Sequence, residues 1–183
     1  MHKDNAALKG VYTFTLAEMV ERQAKKIEEI IQEARLGSDP EKVKFYIDLL
    51  NKKFGHRPLV VDNIIPTVGR SVLAQRLANT TTYTGVVNKV ALGSSSTAVA
   101  NTDTILGAET YRNTAASLTY SNNIAYITGF FSAAECSGTY AEAGLFIDGT
   151  GSANTGQLFS HVLASITKTS AQTLTIDWTL TIS

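Results

Sequence analysis

The sequence predicts an α+β fold in which an N-terminal α-helical hairpin is followed by a mainly antiparallel β-sandwich of jelly-roll or immunoglobulin-like form. Three observations carry this. In QTLTIDWTLTIS, residues 172–183, Leu174, Ile176, Trp178, Leu180 and Ile182 alternate without a slip with Thr173, Thr175, Asp177, Thr179 and Thr181. Successive side chains of a strand point to opposite faces, so this stretch is a strand with one apolar face and one threonine face, the latter wet or paired. Between residues 16 and 54 apolar side chains recur instead at spacings of three, four and seven, the period of a helix. Charge divides in the same way: residues 1–80 hold thirteen of the sixteen Lys/Arg and ten of the sixteen Asp/Glu, leaving three and six for residues 81–183.

At the start of the chain, residues 1–14 show little periodicity, although Val11, Tyr12 and Phe14 are apolar enough to pack, and order there would point either to docking on a neighbour or to packing within the chain's own fold. Thr15 followed three residues on by Glu18 has the pattern of a capping box and predicts a first helix from about 16 to 36. Leu16, Val20, Ile27, Ile30 and Ala34 form its apolar stripe, and the seven-residue spacing of Val20, Ile27 and Ala34 makes that stripe the expected assembly interface. Gly37 ends the helix. Ser38-Asp39-Pro40-Glu41 starts a second, with a capping side chain and a proline where its missing N–H costs nothing, and Val43, Ile47, Leu50 and Phe54 mark its face up to Gly55. So short a loop makes the pair an antiparallel hairpin, whose stripes must lie on the β domain or on other subunits and are expected to be covered largely by other chains.

HRPLVVDNIIP, residues 56–66, reads as an extended connector, and a short helix after Gly69 carries Val72, Leu73 and Leu77, with Asn79 as its stop. Strands are expected near 85–92, 115–120, 124–131, 140–147, 157–166 and 173–182. Ser121-Asn122-Asn123 suits a tight hairpin, and Asp148-Gly149-Thr150-Gly151 supplies positive-φ residues for another loop. Short strands with short connections imply antiparallel sheets. Leu145, Leu174, Ile176, Trp178, Leu180 and Ile182 are the expected β-core, each worth roughly 1.5 to 3 kcal/mol when fully buried, and the last strand is expected to be interior to its sheet. The domain boundaries follow: a 1–57 N-terminal segment and hairpin for attachment and assembly, a 58–80 connector with a short helix, and an 81–183 β-sandwich.

Chemical motifs are sparse. His2, His56 and His161 lie in three separate segments with no ligand-type residue at metal spacing, so neither a metal nor any cofactor is expected. The lone Cys136 forms no internal disulfide and reads as a buried or half-buried thiol rather than a nucleophile paired with His161. Glu135 and Glu142 read as isolated acids bonded to solvent or backbone, and GSSST at 93–97 as a flexible turn lacking the lysine of a phosphate loop. No catalytic residue is assigned. Neither half is basic enough for nucleic acid, no apolar run is long enough to insert in a membrane, and MHKDNAALKGVYTF lacks the apolar region of a secretion signal.

One resemblance adds to this reading. NIIPTVGRSVLAQRLAN at 63–79, VALGSSSTAVANTDTIL at 90–106, Tyr140–Phe146 and the close ITKTSAQTLTIDWTLTIS resemble a module of tailed-bacteriophage virion proteins found in tail-fibre-like, collar and capsid-accessory components. Asp103, Leu106, Glu109 and Arg112 match one of its motifs, followed by an EaGLF strand and a final LTi.WtL.i strand. The resemblance implies a non-enzymatic virion component, assembled in the host cytoplasm, whose partners are copies of itself, a trimer being favoured, and other virion proteins. A receptor- or carbohydrate-binding module of a tail fibre is the alternative, with a host surface receptor or glycan as partner and Tyr83, Tyr111, Tyr120 and Tyr140 as candidate contacts. The hairpin at 15–55 lies outside the resemblance.

Overall fold

Strict alternation places the strand β9 (Gln172–Ile182) at the centre of a five-stranded antiparallel sheet, where both of its edges are hydrogen-bonded. The computed structural model describes residues 8–37, 39–79 and 82–182; His2, Ser38 and Ser183 therefore fall outside the described residues. In chain order these form β1 (Leu8–Glu18), α1 (Arg22–Leu36), α2 (Pro40–Phe54), β2 (Leu59–Asp62), α3 (Thr67–Leu77), β3 (Val87–Gly93), β4 (Glu109–Thr114), β5 (Ser117–Ser121), β6 (Ile124–Phe131), β7 (Gly138–Ile147), β8 (Gln157–Lys168) and β9. The first sheet runs β2-β1-β9-β6-β5 and the second β4-β3-β7-β8, every pairing antiparallel. This is an α+β, mostly-sheet fold, but the hairpin does not open it, because a strand precedes the helices.

That strand overturns the reading of residues 15–18 as a helix start. Tyr12, Phe14 and Leu16 carry a period of two, and β1 pairs with β9 along its whole length, Phe14 opposite Ile176 and Leu16 opposite Leu174. Eleven residue pairs of ladder outweigh one local cap, whose stabilisation is about 1 kcal/mol. The helix starts later, with Glu21 as an N-cap that makes no side-chain bond. Order near the start of the chain thus comes from the chain's own last strand.

Between the sheets lies one core. Tyr12, Phe14, Ile127, Leu174, Ile176, Trp178 and Leu180 from the first sheet meet Val90, Leu92, Leu145, Ile147, Phe159 and Val162 from the second. Trp178 is 1% exposed and takes the rings of Phe159, centroids 5.6 Å apart, and Tyr12, 6.5 Å, edge-on. Ile182 is not part of this core: it lies at the strand's end beyond Leu180 and is 54% exposed.

Helices α1 and α2 form the expected antiparallel pair, with Asp39 accepting a bond from the Lys42 amide at 3.1 Å. Their cover is the outer face of the first sheet. Ala24, Ile27, Ile31 and Ala34 of α1 and Val43, Ile47 and Leu50 of α2 enclose Ala17, Met19 and Phe130 in a second cluster. The expected assembly stripe therefore does not exist as one helix face. Leu16 lies in β1, half-buried; Val20, in the link, is exposed; Ile27 and Ala34 are buried on the chain's own sheet; Ile30 is half-buried. The threonine face of β9 lies beneath α2: Thr173 and Thr175 are fully buried, Thr175 donates to Asn51 Oδ1 at 3.3 Å, and Lys44 donates to Asp177 Oδ1 at 3.1 Å.

Elsewhere, the connector supplies the short edge strand β2, α3 begins at Thr67, and Leu77, expected on its apolar side, is exposed. Asn122 turns the β5–β6 hairpin with φ 52°, but in the β7–β8 loop the left-handed residues are Asp148, Asn154 and Gly156 rather than Gly149 or Gly151.

Candidate functional site

Four of the nine charged residues of the charge-poor half, Asp103, Glu109, Arg112 and Glu142, collect on the outer face of the second sheet. Strand β7 sends Ala143, Leu145 and Ile147 into the core, and the alternation turns Glu142, Gly144 and Phe146 outward. Phe146, Ala91 and Leu158 are nonetheless fully buried, beneath Leu106 and Val68. Two loops cover this face: residues 94–108, between β3 and β4, and residues 148–156, between β7 and β8. Leu106 sits so close that a Cβ on Gly144 would lie 2.8 Å from its Cδ2, which is why the EaGLF run needs glycine there.

Each loop is held by buried charge. For residues 94–108 the holder is Glu142, whose side chain is 1% exposed. Its Oε1 accepts from the amides of Ala108 at 2.7 Å and Ser95 at 3.3 Å; its Oε2 accepts from Gly107 at 3.0 Å and lies 2.9 Å from His161 Nε2. The other ring nitrogen, His161 Nδ1, is 2.8 Å from Asp103 Oδ2, which also accepts from the Ala100 amide at 2.8 Å. With both nitrogens engaged, the imidazole ties the loop to the sheet and has no free site to act as a base. A polar cleft of about 310 Å³, lined by Ser95, Thr97, Thr102 and Asp103, opens beside it.

The 148–156 loop is held by Arg112. In a regular strand Glu109 and Arg112 would face opposite ways, but the β3–β4 register slips between Leu92 and Gly93, and this bulge brings both to one face. The Glu109 carboxylate receives Arg112 Nε at 2.5 Å and Nη2 at 2.7 Å, a bidentate pair with side chains 1% and 5% exposed. Arg112 Nη1 donates to Thr150 O at 3.1 Å and Thr155 O at 3.2 Å, and the guanidinium carbon lies 4.7 Å from the Phe146 ring centroid. Glu109 Oε2 also accepts from the Asn154 amide at 2.8 Å.

Asp103, Leu106, Glu109, Arg112, Glu142, Gly144 and Phe146 thus form one layer, while the terminal motif residues Leu174, Ile176, Trp178 and Leu180 fill the core on the other side of the sheet. Glu135 does not meet Glu142; it accepts from the Ser132 amide at 2.7 Å and from Asn113 Nδ2 at 3.2 Å. Cys136 belongs to the core between the sheets, apart from His161 on the outer face, and burial pushes its thiol up to about 12. Lys168, buried behind the same loop, donates to the carbonyls of Glu135 at 2.7 Å and Ala133 at 3.1 Å, and burial lowers its pKa. GSSST is no free turn, since the Ser95 amide binds Glu142. The four tyrosines form no exposed cluster: Tyr140 is buried, Tyr111 packs edge-on against Phe131, Tyr83 packs on the core and only Tyr120 of the four is largely exposed.

Among the described residues no group of three or more His, Cys, Asp or Glu is placed to hold a metal, and no helix is long and apolar enough to cross a membrane. The one signal that pointed to the Asp103–His161–Glu142 chain was Glu142 itself, an acid in an otherwise apolar strand of a half with only nine charged residues. Comparison of the chain with protein-family models, with characterised proteins and with solved structures finds no match.

Proposed function

We propose that this protein is a non-enzymatic structural component of a tailed-bacteriophage virion, a fibre, collar or capsid-accessory protein that docks on the particle and assembles with copies of itself, a trimer being favoured. The observation that supports this reading is the commitment of the motif side chains. Each of Asp103, Glu109, Arg112 and Glu142 is engaged in holding a loop onto the second sheet, and the residues of the terminal motif fill the core. A layer of that kind makes a rigid module for display or packing and leaves its charged groups no substrate to act on. Strand adjacency supports an immunoglobulin-like form over a jelly-roll: β1-β9-β6-β5 and β4-β3-β7-β8 follow the neighbour order of the A-B-E-D and C′-C-F-G sheets, with β9 in the place of strand B. A glycan- or receptor-binding role has less support, because of the four candidate tyrosines only Tyr120 is largely exposed.

The test is location. Antibodies raised against the chain should decorate purified phage particles from a culture that produces it, and mass spectrometry of those particles should recover it in a fixed ratio to the major capsid protein. Its absence from intact particles would overturn the proposal.

A further inference from the structure

We propose that the closed 94–108 loop carries a proton of its own, held between Asp103 and His161, which links closure of that loop to pH. A neutral imidazole has one N–H donor and one acceptor nitrogen, and a carboxylate only accepts. Yet His161 lies 2.8 Å from Asp103 Oδ2 through Nδ1 and 2.9 Å from Glu142 Oε2 through Nε2. Two such contacts need two protons, one more than a neutral ring and two carboxylates contain.

The place of the extra proton follows from the acceptor count. Glu142 has about four lone-pair positions, and the amides of Ser95, Gly107 and Ala108 together with His161 Nε2 occupy them, which leaves no room for a proton of its own. Nε2 therefore donates to Glu142, and the second proton sits in the contact between Nδ1 and Asp103. Whether it resides on the ring or on the carboxyl, the count is the same. The charged groups on the elements packed around His161 are Asp103 on the loop, Glu142 on β7, Arg70 and Arg76 on α3 and Asp62 on β2. Arg70 is engaged with Ile65 O at 2.7 Å, Thr67 Oγ1 at 3.1 Å and Asn101 Oδ1 at 3.2 Å.

The sign follows. With the loop open, Asp103 is a solvated carboxylate and His161 keeps only the proton it shares with Glu142, so opening releases one proton. Closure is favoured at low pH and weakens as pH rises, by up to about tenfold per pH unit for a single linked proton. Asp103→Asn separates this from a merely structural contact: its carboxamide donates to a neutral imidazole without an added proton, at the expense of the Ala100 amide bond that Oδ2 accepts in the wild type, so the pH slope and not the absolute protection is compared.

Two measurements on the full chain test this. The ¹⁵N shifts of the His161 ring, read with the ¹³C shift of the Asp103 carboxyl, should show two protons, on both ring nitrogens or on one nitrogen and the carboxyl, under conditions where the amides of Ser95, Gly107 and Ala108 are protected from exchange. Protection of those amides, corrected for intrinsic exchange, should fall with rising pH more steeply in the wild type than in Asp103→Asn. A neutral, singly protonated ring with neutral-imidazole shifts in the closed protein whose Asp103 carboxyl is also ionised by ¹³C shift, or equal pH slopes in the two proteins, would overturn the proposal. If Asp103→Asn does not fold, the ring and carboxyl spectra of the wild type decide the matter alone.

Discussion

At the scale of single residues, the fold depends on a few side chains that cannot be trimmed. Trp178 is held between Phe159 and Tyr12, so Trp178→Ala leaves a void that neighbouring rings fill poorly and should cost about 3–5 kcal/mol, read as a lowered thermal midpoint. Arg112→Lys keeps the charge but loses the planar fork that reaches Glu109 and two carbonyls at once; it should leave the fold intact while making residues 148–156 the first site of limited proteolysis. A pH effect follows from Cys136 and Tyr140, both pushed up to about 12 by burial. As pH rises past their ordinary values the unfolded chain gives up these protons and the folded chain does not. The native state then holds more protons than the unfolded one, and stability falls between about pH 9 and 12. Cys136→Ala should make denaturant midpoints less steep in that window. Trp178 was legible from alternation alone. Glu142 was read as bonded to solvent or backbone, and three of its partners are backbone amides, but which amides, and the contact with His161, were not legible, because no residue pattern encodes the position of a distant donor.

At the scale of elements, strands bounded by turn residues were readable, and those that depend on a distant partner or carry a competing local signal were not. β6 was placed residue for residue, Ile124–Phe131, because its apolar run ends at turn residues on one side. β4 was missed: ETYRNT has a single large apolar side chain and is a strand only because β3 lies beside it. β1 was hidden by a local helix signal that its pairing with β9 overrides. The hairpin was found, but its cover was not, since an amphipathic stripe says that something packs on it and not what. A pair of substitutions checks the cover observed. Ile27→Asp, at a position 8% exposed on the chain's own sheet, should lower the thermal midpoint of the protein by many degrees. Val20→Asp, at a position 74% exposed, should leave it within the effect of about 0.5 kcal/mol usual for surface changes. Equal effects at the two positions would contradict this packing.

At the scale of the whole molecule, the edges of the first sheet decide how copies meet. β5, Ser-Leu-Thr-Tyr-Ser, is an uncharged edge strand with Leu118 42% and Tyr120 83% exposed, and β2 at the opposite edge exposes Val60. β2 is short, preceded by Pro58 and ended by the exposed Asp62, whereas β5 has neither charge nor proline and invites a further strand, which is the physical basis for expecting a homo-oligomer. Sedimentation at micromolar concentration should show a trimer or a closed ring. Tyr120→Lys, which puts a charge on this edge, should shift it toward monomer with little loss of thermal stability; a wild-type monomer would count against the expectation. The central pair of that sheet has a mechanical side. Leu8 stands opposite Ile182, so the two ends of the β1–β9 ladder lie at the same place. Tension applied between them opens that ladder like a zip, one hydrogen-bonded rung at a time, whereas a shearing load would meet all rungs together. A pull applied through Leu8 and Ile182 thus meets the rungs of this ladder one at a time.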